Sequence, residues 1–318
     1  MLAGAVAAAV GSPDNARLHS LAHQDLDVGG VALIKSSAFE RGDDLCPVGA
    51  ACSWAEERGC GPSSAPPESD RARALAARGV ELATVRIGDR ASLAAALEGV
   101  DAFYFMTPEV NSLGEAEEEV RVGTALVDAA AAARVPHVVF NSVFGADRET
   151  GVPHHDSKHR IEEYLKLSGL KATMVRAAAF MENFVTVMAP SMEDGTIVLR
   201  LPLPDDIALK MVSIKDIGRV AAAILLGVAE CLAVSSRSSA TSRRAPRSPP
   251  RSARAGLPSR YEALPLSDLD KAMFRQFAEA SEHPSDLAAA KAVEPDIWSL
   301  AEWIRFTGWT APAERVRS

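Results

Sequence analysis

Apolar and polar positions follow helix and strand periods in turn across residues 69–228 of this chain, and lose them on either side. Ser69-Asp70 caps ARALAARG, a helix that Gly79 stops, and Val80–Val85 reads as a strand. Ser92 caps LAAALEG, a second helix closed by a glycine. Asp101–Met106 is a strand ending at Thr107-Pro108. Glu115–Ala133 is a long helix whose acids lie at its N-terminal end, where the helix dipole favours negative charge. Pro136–Ser142 is a buried strand. Lys158 opens an amphipathic helix, which puts it on the first turn; Ser168-Gly169 stops that helix, and a short β-branched run leads to Arg176. Strands alternating with helices of this length predict βαβ units and a parallel sheet, so the fold class is α/β.

The flanks differ. Residues 1–68 have weak periodicity, scattered glycines and a Ser-Pro-rich end, and form a poorly defined N-terminal region. Residues 229–260 read as a disordered linker: the stretch 231–260 holds seven arginines, eight serines and four prolines without one Asp or Glu. So abrupt a break, ended at Tyr261–Asp270, is expected of an out-of-frame reading of a GC-rich gene, and 1–68 invite the same reading; translating the other two frames tests it. Residues 261–318 are the helical part of a small C-terminal lobe, with Trp298, Trp303 and Trp309 packing a terminal helix.

At 318 residues the chain can bury a full core. Its net charge of −8 argues against a nucleic-acid backbone as general partner, and the basic run 237–260 has no interleaved aromatic residue with which to stack bases. Cys46, Cys52, Cys60 and Cys231 match neither a zinc-ligand spacing nor a disulfide framework, so a reducing cytoplasm and no metal site are expected. The apolar stretch Met1–Val10 lacks a basic start and is too short to span a bilayer, so neither a secretion signal nor a membrane helix is expected.

The chemistry concentrates in residues 154–183. Lys158 and Glu162 form a Lys-x-x-x-Glu helix, and the next strand ends in Arg176-Ala-Ala-Ala-Phe-Met-Glu-Asn183. That order places Phe180–Asn183 in the loop after a strand, where open α/β sheets hold their ligands. A lysine at a helix start opposes the dipole, which calls for an anionic or polar partner. Four residues earlier stands His154, where a Tyr-x-x-x-Lys dehydrogenase pair would have tyrosine; Pro153 makes His154 a pre-helical residue, a loop histidine or a proton donor. Glu162 and Glu163 read as solvated i,i+4 partners.

With its Lys-x-x-x-Glu helix and R-x-x-x-[FY]-[MF]-E-N strand end, the chain resembles the NmrA-like branch of the atypical short-chain dehydrogenases. The resemblance covers 69–228 and, less closely, 261–311; Met211–Arg219 resembles the extended-dehydrogenase segment V-x-x-x-D-[IV]-[GA], in which Asp216 caps or pairs locally. It implies a Rossmann-type NAD(P)-binding core and, as function, reduction of a quinone or related carbonyl acceptor by NADPH or NADH. The alternative it carries is a non-catalytic dinucleotide sensor acting through a protein partner. It also implies cofactor contacts from Thr107 and Pro108 after their strand, Asp89 in an acidic loop, Lys158, and Phe180, Met181, Glu182 and Asn183. Asn141 and Ser142, at a strand exit, stand where a dehydrogenase serine polarises its substrate. Each position also has an ordinary structural reading: a strand-ending turn for Thr107-Pro108, a helix cap for Asp89, a core-anchored loop for 180–184. The family's G-A-T-G-x-x-G turn is missing: the N-terminus offers Gly4 and Gly11, and Gly29-Gly30 precede rather than follow an apolar run.

Overall fold

Strand residues of this chain send alternate side chains into two different cores, and that division organises the fold. The computed structural model describes residues 3–9, 31–34, 50–51, 80–86, 89–107, 113–147, 149–185, 188–204, 209–225, 236–238, 259–267, 271–272 and 296–309. The strands are β1 (Ala3–Ala9), β2 (Val31–Ile34), β3 (Ala50–Ala51), β4 (Val80–Arg86), β5 (Ala102–Met106), β6 (His137–Val143), β7 (Ala172–Ala177), β8 (Ala179–Phe180), β9 (Ser191–Glu193), β10 (Thr196–Leu201), β11 (Met211–Val212), β12 (Ser236–Ser238) and β13 (Ser259–Ala263). The helices are α1 (Arg90–Leu97), α2 (Leu113–Ala132), α3 (Pro153–Leu167), α4 (Ile214–Leu225) and α5 (Leu300–Thr307), with a 3₁₀ turn at Met181–Val185.

The large sheet has the order β12-β7-β6-β5-β2-β1-β4, with β3 beside β2. β5, β6, β7 and β12 are mutually parallel, as the alternating pattern predicts. On the N-terminal side the sheet is mixed: β2 runs antiparallel to β5, and β4 antiparallel to β1. A run of apolar residues carries no record of strand direction, so this reversal leaves no mark in the hydrophobic pattern. β12 lies inside the stretch expected to be a linker, and Ser259-Arg260 from its other end begin β13. The helix expected after Ser69-Asp70 lies outside the described residues.

Period-two alternation sorts the side chains. Phe103 and Phe105 of β5 and Val138 and Phe140 of β6 enter one core, against Leu93 and Leu97 of α1, Val122 and Leu126 of α2, and Ile161 and Leu165 of α3. Phe105 stacks on Phe103 and Phe140 at 5.4 and 4.7 Å. Tyr104, Val139 and Val175 face the other core, which holds Val220 and Ile224 of α4, Ile197 and Leu199 of β10, and Trp303 and Trp309. The tryptophans pack against the second core as expected; Asp216 pairs locally with Arg219 and also accepts from the Trp298 amide, 82 residues further along the chain. The β9–β10 hairpin turns at Asp194-Gly195, both at positive φ, the backbone that a two-residue primed turn requires.

Helix α2 crosses α3 unusually closely. A Cβ at Gly123 would lie 2.5 Å from Ile161 Cδ1 and 2.7 Å from its Cγ1, so the absent side chain is what admits Ile161. Around this contact, Arg160 pairs with Glu117 and the Tyr164 hydroxyl donates to Asp128 at 2.6 Å.

Candidate functional site

At the carboxyl end of β5–β7 the apolar rows give way to polar ones. Continuing the alternation, Thr107, Ser142 and Arg176 follow Phe105, Phe140 and Met174 onto the face covered by α2 and α3. Register pairs Ser142 with Arg176, and Met106 with Asn141 one step earlier, so the three residues form a row across the strand ends.

Two carboxylates descend on that row from the helices. Glu119 of α2, whose side chain is 0 % exposed, accepts from the Thr107 hydroxyl and the Lys158 ammonium on one oxygen and from the Ser157 hydroxyl on the other. Glu162 of α3 takes Arg176 in a two-bond fork, at 2.9 and 2.5 Å. Burial works against the Arg176 charge, but the Glu162 hydrogen bonds and neighbouring acids hold its pKa above the ordinary value. Glu162 is therefore a buried partner of Arg176 and not the solvated charge that its spacing predicts; Glu163, paired with Lys166 at the surface, does fit that expectation.

Helix α3 begins at Pro153, so Lys158 lies on its second turn and His154 is helical, correcting the pre-helical placement. Proline is favoured at the first helical position, where its missing N–H costs nothing. Val152 offers no side-chain cap; Asp156 instead folds back to accept from Thr150 N and Gly151 N at 2.6 and 2.9 Å. His154 and Lys158 thus share a helix face. Burial, then the Lys158 charge, lowers the His154 pKa against the opposing pull of Glu119 and Asp156, leaving a neutral imidazole at pH 7.

The other predicted residues divide. Asn141 Oδ1 and Ser142 Oγ are buried with no hydrogen-bond partner among the described residues. Such atoms are costly unless something bonds them, and both stand at the crevice end of a parallel strand. Asp89 caps α1, accepting from the Ala91 and Ser92 amides at 3.0 and 3.2 Å; Ser92 is thus the capped third residue and not the cap. Phe180 lies in β8, paired with β11, and Met181 is wholly buried in the second core. Glu182 accepts from the Ser213 hydroxyl, the Ile214 amide that opens α4, and the Trp303 indole, at 2.9, 3.0 and 3.0 Å. That set makes it a clasp between the loop and the C-terminal helices. Asn183 is half-buried, its carbonyl accepting from Met188 N at 2.8 Å. Pro108 lies outside the described residues, as does any glycine turn after β1. Among the described residues no His, Cys, Asp or Glu cluster could hold a metal ion, and no helix is long and apolar enough to cross a membrane.

Sequence reasoning missed Glu119, yet it was within reach: Ala116, Glu119, Val122, Gly123 and Leu126 keep the i, i+3, i+4 spacing of a buried stripe, while Glu117 and Glu118 fall off it.

Comparisons with known proteins agree with this architecture. The chain is 30% identical over 134 residues to the NAD(P)H azoreductase of Xenophilus azovorans, a match covering 42% of this chain and 45% of that protein. The chain thus spans less than half the length of that curated relative. Among solved structures, the NADPH complex of the Escherichia coli NADPH-dependent quinone oxidoreductase superposes with a TM-score of 0.58 at 19% identity, covering 75% of this chain and 87% of that one. The Citrobacter sp. triphenylmethane reductase complexed with NADP(H) gives 0.58 at 17%, covering 76% and 88%. At these identities the structural likeness is one of fold. The sequence model of the NmrA-like family, however, matches residues 55–243, more than half of the chain, and the chain belongs to the NmrA-like family.

Proposed function

We propose that this protein binds NADPH or NADH at the carboxyl end of β5–β7 and reduces a quinone or related carbonyl acceptor. The observation that carries the reading is two buried oxygens without a hydrogen-bond partner among the described residues, Asn141 Oδ1 and Ser142 Oγ, at the end of a strand whose neighbour Thr107 shares Glu119 with a partly exposed Lys158. Most buried polar atoms are bonded, so two unpartnered oxygens at a strand exit support a polar ligand there. The relatives named above are reductases described with NAD(P)H, NADPH or NADP(H), which supports a dinucleotide as that ligand.

When bound, the dinucleotide supplies hydride. Asn141, Ser142, Thr107 and Lys158 would hold its nicotinamide-ribose half, with Phe180 at the end of β8 and Asn183 after it on the same side; Asp89 and Pro108 would serve only at its outer end. Lys158 donates N–H groups to hydroxyl oxygens, and the apolar loop excludes water. His154, neutral at pH 7, accepts a proton more readily than it gives one, so the proton that completes reduction comes from solvent.

Thermal melting and acceptor-dependent NADPH oxidation test this together. At about 100 times its Kd a ligand adds roughly 2.7 kcal/mol, a rise of several degrees in melting temperature. NADPH or NADH should raise the transition, a small quinone should accelerate NADPH oxidation, and Lys158→Ala should abolish the oxidation. If neither nucleotide moves the transition, the reading is wrong.

A further inference from the structure

Thr107 and Lys158 reach the crevice with part of their hydrogen-bonding capacity already committed. The Thr107 hydroxyl hydrogen goes to Glu119, and so does one Lys158 N–H, both to the same carboxylate oxygen. Ser157 occupies the second oxygen. A hydroxyl that has donated its single hydrogen can only accept from anything else, whereas an ammonium that has used one of three still has two to give. This corner of the strand ends therefore offers one acceptor, Thr107 Oγ1, beside one donor, Lys158 Nζ, held as neighbours by a shared oxygen. The Glu119 side chain is wholly buried and the Lys158 side chain 15 % exposed, so the carboxylate acts from behind while the amine faces outward.

We infer that Glu119 is a positioning residue that sets the polarity of this corner of the site, making Thr107 an acceptor and fixing Lys158 as a donor, so that the pair selects a sugar hydroxyl and rejects a phosphate oxygen. A hydroxyl can give its hydrogen to Thr107 while accepting from Lys158. A phosphate oxygen has no hydrogen to give and would meet the lone pairs of Thr107 with the Glu119 charge behind them. This assignment builds on the dinucleotide reading above and narrows it: ribose, and not pyrophosphate, lies against Thr107. The same helix pair supplies a control in Glu117, whose bond to Arg160 is solvent-exposed and away from the strand ends.

Reductive methylation of the full-length protein, followed by peptide mass spectrometry, reads the Lys158 amine directly with no nucleotide present. Lys158 should react slowly in the wild type, at least about tenfold faster in Glu119→Gln, as loss of a charged hydrogen bond implies, and unchanged in Glu117→Gln. Equal Lys158 rates in the wild type and Glu119→Gln overturn the inference. NADPH titration then forms a double-mutant cycle. Glu119→Gln should weaken binding about tenfold in the wild type and by no more than about twofold in Lys158→Met, since coupled residues fail to add. Independent, multiplying effects would show that Glu119 acts on the fold and not through Lys158. Protection of wild-type Lys158 from methylation by NADPH is a separate readout: its absence counts against the dinucleotide reading, while the nucleotide-free rates still decide what Glu119 does.

Discussion

Substituting Gly123 by alanine should lower stability, although the same change at an exposed helical position would raise it. Alanine gains about 1 kcal/mol over glycine in a helix interior. Here the new Cβ would sit 2.5, 2.7 and 3.0 Å from Ile161 Cδ1, Cγ1 and Cγ2. The last two branch from one carbon, so a χ1 rotation that clears one brings the other in. Ile161 is fully buried, packed among the side chains of the first core. Overpacking of this kind costs about 1–3 kcal/mol, and three atoms at or inside 3.0 Å belong at the upper end, leaving a net loss of about 1–2 kcal/mol. In a chain this long each kcal/mol moves the melting temperature by roughly 2 °C, so a fall of about 3 °C is expected by calorimetry. Ile161→Val removes the atom in closest contact. The double variant should therefore be more stable than the two single losses predict by about 1 kcal/mol. A rise in melting temperature for Gly123→Ala alone, or strict additivity with Ile161→Val, would refute the close-contact argument. The contact lies one turn along each helix from Glu119 and Ser157, so any splaying there should also raise Lys158 reactivity.

Two further outcomes follow from the charges. Glu162→Gln leaves the Arg176 guanidinium buried with its main partner uncharged and should cost about 3 kcal/mol in urea unfolding; Glu162→Leu with Arg176→Met should recover much of that, because the paired charges are themselves expensive to bury. At the surface of β9, β10 and β13, hydrogen bonds and charges from Arg200, with the Arg260 charge, hold the Glu193 pKa down at about 2. A depressed carboxylate pKa contributes stability above its unfolded value and loses it as pH falls through the folded one. The stability difference between the wild type and Glu193→Gln should thus be present at pH 6, shrink from about pH 4.5 downward, and close near pH 2. It should be small and weaken in salt, and a difference that persists at pH 2 would show that the ion pairs are not its source.

The central strands and helices were legible because burial on one face leaves a period. Phe103 and Phe105 with Tyr104 between them, and the Ile161–Leu165 step of α3, state their faces in the sequence itself. Direction leaves no such trace, which is why the antiparallel set of β2 against β5 was not readable. Helix starts were misjudged where one residue serves two grammars: Pro153 reads equally as a stop before α3 and as its first residue. The site divides along the same line. Lys158 was found because a cation near a helix start is an anomaly that asks for a partner. The partner was unreadable as such, since Glu117, Glu118 and Glu119 are chemically identical and only the 100° step between them separates two solvated acids from a buried one. Asn141 and Ser142 were marked by position alone; that their oxygens lack partners among the described residues is a fact of packing between strands far apart in the chain.

The bond from the Trp303 indole to Glu182 ties the loop after β8 to helix α5. Chimaeras that exchange α5 with the matching helix of a relative remove one of the three donors to this carboxylate, and loosen the loop it holds unless the new helix brings another. The setting of that loop can accordingly be retuned from more than a hundred residues away in sequence, with no change to the strand ends. The indole also makes that retuning visible, because its emission responds to whether its N–H is bonded.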